Sequence, residues 1–215
     1  MCEICKVVDK ITTVPVYPKR TFNSICDDTT YNLLLDFVNN VAFEYRDPPF
    51  TLSSGKLSNY YFDCRKVFSS AYGFDLAGRV MGGILKRMWP EVSMVGGLAT
   101  GAIPVANAIM SACFRDSSRC LNSFYVRKEL KDHGKTDKIV GIIKKDDSVL
   151  IVEDVITTGQ SAGVAIAAVL ELGAVPVGVL ALVDRLDGGG AYLMQEFSIP
   201  VISVFTIFDF VEKNM

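Results

Sequence analysis

The sequence has few of the features that would mark it as a membrane, secreted or nucleic-acid-binding protein. It contains one histidine, one tryptophan and no apolar run of the roughly 20 residues that a membrane span needs. The segment from Met1 to Arg20 is interrupted by charges and two prolines, so it is not expected to be a signal peptide. The formal net charge of −2 provides no long-range attraction to nucleic acid or anionic membrane. If this chain handles phosphates, it must use local positive groups.

Cysteine usage indicates a reducing compartment. Six cysteines are scattered through 215 residues, which favours the cytoplasm over a disulfide scaffold. Cys2 and Cys5 form a CxxC pair, but no second CxxC or CxxH follows to complete a four-ligand zinc site. We interpret them as two thiols in an N-terminal extension, residues 1–28, of unknown role.

The rest of the chain, residues 29–215, is predicted to be one α/β domain. Leu33, Leu34, Phe37, Val38 and Val41 recur at helical spacing. Residues 28–30 would cap this helix, residues 59–67 are aromatic-rich and favour strand or hairpin, and a helix is expected from about 72 to 88. Short β-favouring runs at 92–99, 123–127, 149–152 and 175–183 alternate with Ala-rich helical stretches at 102–113 and 161–172. Such alternation predicts a parallel sheet covered by helices on both faces.

The most informative motif is the thirteen-residue segment 149–161, Val-Leu-Ile-Val-Glu-Asp-Val-Ile-Thr-Thr-Gly-Gln-Ser. A buried strand runs into Glu153 and Asp154 at the carboxyl edge of the sheet, where open α/β folds bind ligands. The following turn offers free backbone N–H groups and a helix N-terminus, which together bind anions. Hydroxyl donors are added by Thr157, Thr158 and Ser161, and Gly159 permits close approach of a phosphate. An acidic strand end with a Thr-rich cap is the alternative, but the full order indicates a ribose-5-phosphate site.

This segment resembles the signature by which type I phosphoribosyltransferases bind 5-phosphoribosyl-1-pyrophosphate (PRPP). The resemblance implies a central, mostly parallel sheet flanked by helices, with a small N-terminal hood over its carboxyl edge. The hood would comprise elements from about residue 29 to 68 and the C-terminal segment. Gln160 joins the residues implied to bind PRPP.

Further segments are similar to orotate phosphoribosyltransferases. Residues 50–66 resemble the base-binding segment of that family and imply orotate contacts by Ser53, Tyr61 and Phe62, with Thr157 as a further orotate contact. Without the family, Tyr60, Tyr61 and Phe62 are better explained as core strand residues. The segment Leu182–Arg185 ends a long strand, and the resemblance implies that Arg185 faces the orotate carboxylate, for which a planar guanidinium is a suitable partner.

A basic loop and a small-residue turn complete the resemblance. Residues 125–134 look like the catalytic loop of the family and place Arg127, Lys128, Lys131 and His133 close together; an ordinary solvated face is the alternative. Residues 95–104 resemble the pyrophosphate loop, with Thr100 and Gly101 at its turn. Some members have a lysine at the position of Ser53 and Tyr-Lys at Thr100–Gly101, so the anion contacts must be distributed differently here.

The resemblance implies transfer of the phosphoribosyl group of PRPP to orotate, giving orotidine 5′-monophosphate and pyrophosphate. Lys131, His133 and Asp154 would be catalytic. Mg²⁺ would be held mainly by PRPP and would contact Glu153 and Asp154 through water, without a dedicated protein cluster. A homodimer would share the basic loop across its interface. The alternatives are a phosphoribosyltransferase for another base and a non-catalytic PRPP-binding regulator.

Overall fold

A computed structural model describes residues 28–51, 57–117, 119–128 and 138–214. The helices are α1 (Asp28–Val41), α2 (Arg65–Phe68), α3 (Ala71–Met88), α4 (Ala102–Ser117), α5 (Gln160–Leu172), α6 (Gly189–Phe197) and α7 (Phe208–Asn214). The strands are β1 (Phe43–Thr51), β2 (Leu57–Phe62), β3 (Met94–Leu98), β4 (Asn122–Val126), β5 (Ile139–Gly141), β6 (Ser148–Ile156), β7 (Val175–Asp184) and β8 (Val201–Thr206). None of the helices in these ranges is long and apolar enough to cross a membrane.

The centre of the molecule is a six-stranded sheet of order β5-β4-β3-β6-β7-β8. Its pairings are parallel except for β5, which runs antiparallel to β4. One face packs against α1, α3 and α4, and the other against α5 and α6. Because both faces are covered, the central strand β6 is apolar from Val149 to Val152, and all four side chains are fully buried. The predicted α/β class and mostly parallel sheet are confirmed.

A two-stranded antiparallel sheet, β1–β2, forms the hood. Its aromatic side chains pack onto the C-terminal helix, with the Phe43 and Phe62 rings 5.6 and 5.0 Å from that of Phe210. Hydrogen bonds from Arg185, just beyond β7, to β2 place the hood at the carboxyl edge of the main sheet. The hood therefore covers the edge where the predicted ligand-binding residues lie.

Two local predictions differ from the structure. The aromatic strand ends at Phe62, and residues 65–68 form the short helix α2 rather than a continuation of the strand. The chain turns there because Lys66 and Val67 donate backbone hydrogen bonds to the carbonyls of Asp63 and Cys64. Helix α1 begins at Asp28, so Thr29 and Thr30 lie inside its first turn instead of preceding it.

Candidate active site

The turn between β6 and α5 is the floor of a cleft at the carboxyl edge of the sheet. Gly159 has a left-handed backbone (φ 78°) and immediately precedes α5, whose first N–H groups point outward at this end. The cleft encloses about 890 Å³. It is lined by Leu98, Lys128, Glu153, residues 155–162 and Val164. The structure thus brings together the predicted PRPP residues Lys128, Glu153, Thr157, Thr158, Gly159, Gln160 and Ser161.

Helix α6 supports this turn from behind. The backbone N–H of Gly189 donates to the carbonyl of Thr157 at 3.1 Å. A Cβ at Gly189 would lie 2.5 Å from that carbonyl oxygen and 2.6 Å from the backbone nitrogen of Gly159. A Cβ at Gly159 would in turn lie 2.8 Å from the Gly189 carbonyl oxygen. The turn and α6 therefore approach each other as closely as two glycine backbones allow.

The two carboxylates of the motif lie in different environments. Glu153 is 5% exposed, and no described residue hydrogen-bonds its Oε1. Burial, and secondarily the charge of Asp154, raises the pKa of Glu153 well above its ordinary value. Asp154 is half-buried and its Oδ1 accepts the backbone N–H of Val155 at 2.9 Å; burial raises its pKa as well. The residue pattern suggests two solvent-facing carboxylates at a sheet edge, and this is wrong for Glu153.

This pair fits a ligand that brings hydroxyl groups or positive charge. A buried carboxyl oxygen without a partner is costly, and a hydroxyl donor or a cation with its water shell would satisfy it. Within the described ranges, no three or more His, Cys, Asp or Glu side chains form a metal-binding group. Glu153 and Asp154 are therefore the residues of this site that could accept hydroxyl groups of a ligand or, through water, a cation.

The second turn of the site follows β3. Ala99 donates its backbone N–H to the Val126 carbonyl at 2.8 Å, and α4 then starts at Ala102. Gly101 lies against Asp154 of the acidic pair, since a Cβ there would be 3.0 Å from Oδ1 of Asp154. Thr100 is exposed. The predicted pyrophosphate turn and the acidic pair are thus adjacent.

One charged pair beside Asp154 was not identified from the sequence. Arg65 is exposed and forms a two-point hydrogen bond with Asp63, at 2.7 Å from Nε to Oδ1 and 3.1 Å from Nη2 to Oδ2. Hydrogen bonding to Arg65 lowers the pKa of Asp63, and the positive charge of Arg65 also lowers that of Asp154. Arg65 lies in the base-binding segment, but no spacing in that segment distinguishes it from an ordinary surface cation.

The ends of the predicted basic loop are held next to the cleft. The backbone N–H of Arg127 donates to the Lys138 carbonyl at 2.9 Å, continuing the antiparallel pairing of β4 with β5. Lys128 is exposed and lines the cleft. The predicted site residues Lys131, His133 and Ser53 lie outside the described residues.

The predicted base-recognition residues are at the hood. Arg185 follows β7 and is buried, with hydrogen bonds to Asp187 and to strand β2. Tyr61 and Phe62 are neighbours on β2, so their side chains point to opposite faces. Phe62 is 6% exposed and packs against Phe43, as the core alternative expects, whereas Tyr61 is half-buried. The orotate roles of these three residues stay predictions.

The architecture and the site together are those of a phosphoribosyltransferase: an anion-binding turn, two carboxylates and a small-residue turn meet at the carboxyl edge of a mostly parallel sheet. Residues 73–211 match the family described as the phosphoribosyl transferase domain. The orotate phosphoribosyltransferase of Aquifex aeolicus is 40% identical over 161 residues, which cover 75% of this chain and 86% of that protein. The chain belongs to the orotate phosphoribosyltransferase family.

Solved structures agree with this assignment. The orotate phosphoribosyltransferase of Mycobacterium tuberculosis in complex with Fe(III) dicitrate superposes with a TM-score of 0.72 at 36% identity, covering 84% of this chain and 98% of that one. The same enzyme in complex with PRPP superposes with a TM-score of 0.69 at 30% identity, covering 88% and 96% of the two chains.

Proposed function

We propose that this chain transfers the 5-phosphoribosyl group of PRPP to orotate, giving orotidine 5′-monophosphate and pyrophosphate in pyrimidine nucleotide synthesis. The observation that best supports this proposal is a cleft lined together by the anion-binding turn Thr157–Ser161, Lys128 and the buried residue Glu153. These groups match the 5-phosphate, the pyrophosphate and the ribose hydroxyls of one substrate. The PRPP complex of the M. tuberculosis relative supports the same substrate.

The 5-phosphate is bound at the start of α5. Backbone N–H groups at the helix N-terminus and the hydroxyls of Thr157, Thr158 and Ser161 donate to it, and Gly159 leaves room for its oxygens. Glu153 and Asp154 accept hydrogen bonds from the ribose hydroxyls. Bound in this way, the sugar has its anomeric carbon held between the entering orotate nitrogen and the leaving pyrophosphate. This positioning lowers the entropic part of the barrier.

The reaction breaks the bond from the anomeric carbon to pyrophosphate and forms one to a ring nitrogen of orotate. Positive charge develops on the ribose ring and negative charge on the leaving pyrophosphate. Arg127 and Lys128, with Lys131 and His133 of the loop, stabilise the pyrophosphate charge, and the Thr100–Gly101 turn accommodates its oxygens. Because the orotate nitrogen is already acidic, the protein needs to supply positioning and charge stabilisation rather than a strong base.

The base is selected by Arg185. A guanidinium donates a charge-assisted hydrogen bond to a carboxylate, which gives both strength and orientation. Purine bases have no carboxylate, and a buried arginine left without that partner disfavours them. Tyr61 is half-buried and is the residue of β2 that we assign to the pyrimidine ring, whereas Phe62 packs in the core.

We further propose that Mg²⁺ accompanies PRPP. When bound, the ion neutralises pyrophosphate charge. Glu153 and Asp154 would hold it through water, which fits the unpartnered buried oxygen of Glu153. Titration calorimetry of PRPP binding with Mg²⁺ and with EDTA tests this: we expect loss of most affinity without the ion, and equal affinity would refute it.

Two further proposals concern the oligomeric state and the cellular location. A homodimer that shares the basic loop across its interface would give each site the cations beyond Lys128, which already lines the cleft of its own chain. A cytoplasmic location is supported by the scattered cysteines, of which Cys64 is a fully buried thiol.

The decisive assay measures pyrophosphate release from PRPP with orotate, uracil, adenine and hypoxanthine offered separately and in competition. We expect turnover with orotate and little with the other three bases. A preference for adenine or hypoxanthine would show that the base is a purine and not orotate. Tight PRPP binding without turnover of any base would instead indicate a PRPP-binding regulator.

A further inference from the structure

Arg185 is a buried cation whose hydrogen bonds connect two parts of the molecule. Its side chain is 5% exposed. Nε donates to Oδ2 of Asp187 at 3.0 Å, Nη1 to the carbonyl of Tyr60 at 2.9 Å, and Nη2 to Oγ of Ser58 at 3.0 Å. Two of these acceptors belong to hood strand β2, and the third lies two residues further along the chain from Arg185. Burial of a guanidinium is tolerated only with such partners.

Ser58 is used to its full hydrogen-bonding capacity. Its hydroxyl donates to the Tyr60 carbonyl at 3.0 Å, and its oxygen accepts from the backbone N–H of Tyr60 at 3.1 Å as well as from Nη2 of Arg185. A hydroxyl has one donor and two acceptor positions, so all three are occupied. Ser58 and the Tyr60 carbonyl thus form a closed ring of hydrogen bonds with the two terminal nitrogens of Arg185. This ring fixes the plane of the guanidinium.

Three of the five N–H groups of Arg185 have acceptors among the described residues. The Tyr60 carbonyl and the Ser58 hydroxyl take the two parallel N–H groups of the terminal nitrogens, so the two that remain point to opposite sides and a carboxylate can accept from only one of them. We propose that Ser58 and Asp187 are positioning residues, which fix the guanidinium plane so that one remaining N–H faces the carboxylate of the base. The inference rests on the proposed recognition of orotate by Arg185. It assigns selection of the pyrimidine to Arg185 together with Ser58 of hood strand β2 and Asp187, rather than to the arginine alone.

Asp187 has two separable effects on a bound carboxylate. Its oxygen accepts a hydrogen bond that orients Arg185, which helps binding, whereas its negative charge repels the substrate's carboxylate, which opposes binding. Asparagine keeps an acceptor oxygen and removes the charge, and alanine removes both. If orientation is the dominant effect, Asp187→Ala weakens orotate binding and Asp187→Asn leaves it near the wild-type value or tighter.

At Ser58 of the hood, variants that remove and that keep the acceptor can likewise be compared. Ser58→Ala removes the acceptor for Nη2, and Ser58→Thr retains a hydroxyl at that position. The test measures KM for orotate at saturating PRPP, KM for PRPP, kcat, and the inhibition constant of uracil, which lacks the carboxylate. We expect Ser58→Ala and Asp187→Ala to raise the orotate KM about tenfold, as loss of a hydrogen bond to a charged group does. The KM for PRPP, kcat and uracil inhibition should stay near wild type, and Ser58→Thr and Asp187→Asn should restore the orotate KM.

Controls separate positioning from general destabilisation. Ser93→Ala removes an exposed hydroxyl hydrogen-bonded to the Ser148 carbonyl before β3, at the opposite edge of the sheet. Asp116→Ala removes an exposed partner of Arg115. Both should leave the orotate KM unchanged. Thermal unfolding of every variant shows whether it is folded at the assay temperature.

Arg185→Lys distinguishes failure of this inference from failure of the proposed function. If Arg185→Lys raises the orotate KM but the two alanine variants leave it unchanged, Ser58 and Asp187 are not positioning residues. Loss of orotate and uracil binding in equal measure would also overturn the inference, because a merely structural role predicts that result. If Arg185→Lys itself leaves the orotate KM unchanged, the carboxylate is read elsewhere and both proposals fall.

Discussion

Glu153 combines deep burial with a carboxyl oxygen that no described residue binds. Its raised pKa means that folding favours the protonated form. The native state therefore binds more protons than the unfolded state between the ordinary glutamate value of 4.5 and the higher native value. By linkage, protonation of Glu153 stabilises the folded state. This contribution to the free energy of unfolding is fully present below about pH 4.5 and is lost as the pH rises through the native pKa of Glu153.

Glu153→Gln should therefore stabilise the ligand-free protein at neutral pH while abolishing useful turnover of PRPP. Glutamine is uncharged and has no desolvation cost of ionisation, so the Tm difference from wild type should grow with pH and vanish near pH 4. Differential scanning calorimetry across pH 4–8 measures it. Glu171→Gln is the matched control, because Glu171 is exposed and forms an ion pair with Lys138 at the surface. A stability gain that is constant with pH would contradict the buried-charge account.

Arg65 is expected to tune Asp154 without being required for folding. Its charge lowers the pKa of Asp154, whereas the charge of Asp63 raises it. Arg65→Ala removes the first effect and exposes Asp154 to the second, so the pKa of Asp154 should rise. The acid limb of kcat/KM for PRPP should then move to higher pH, and Arg65→Lys should move it less. A profile unchanged in shape would show that Asp154 does not control that limb.

At the scale of elements, the anion-binding turn depends on the packing of α5 against α6. Gly189→Ala would place a Cβ into the backbone of the turn, at 2.5 Å from the Thr157 oxygen, and the two nearest atoms are backbone atoms rather than the end of a flexible side chain. We expect the KM for PRPP to rise at least tenfold, since a displaced loop misplaces several donors at once. Of the residues implied to contact orotate, Thr157 alone belongs to this turn, so the orotate KM should rise less than the KM for PRPP.

Gly163→Ala provides the control for that substitution. It lies within α5, and a Cβ there would have its nearest contact, with Phe197, at an ordinary 3.5 Å. Because alanine is favoured over glycine inside a helix, the variant should be neutral or more stable by up to about 1 kcal/mol. If Gly163→Ala raises the KM for PRPP as much as Gly189→Ala does, the effect is not specific to the support of the turn.

At the scale of the whole molecule, loop sharing is tested by mixing two variants that are each nearly inactive. Lys131→Ala impairs the loop and Asp154→Asn impairs the acidic pair. Free subunit exchange gives about half heterodimers, and each would contain one site with both parts intact if the loop acts on its neighbour. Activity should then recover to roughly a quarter of the wild-type sites. Activity that stays at the single-variant baseline, after a mass tag confirms exchange, would show that the loop acts within its own chain.

The central elements of the fold were predictable, and those at its margins were not. Apolar runs and Ala-rich segments located β3, β6, β7, α4 and α5 because each is buried over its whole length or along one face. Strand β1 was not predicted: Asp47, Pro48 and Pro49 interrupt it, and its pairing with β2 shifts register between Tyr45 and Phe50. The three-residue edge strand β5 and the elements from α6 onward were also not predicted, because their positions depend on long-range packing.

The chemistry of the site was determined locally, and its electrostatics were determined by tertiary structure. Residues 149–161 specify a strand, an acidic pair and an anion-binding turn in continuous order, so their adjacency does not depend on the rest of the fold. By contrast, only packing decides that Glu153 is buried, that Gly189 supports the turn and that Ser58 and Asp187 hold Arg185. Burial, close backbone approach and a hydrogen bond across 127 residues arise when distant segments meet, and a linear pattern contains no measure of those distances.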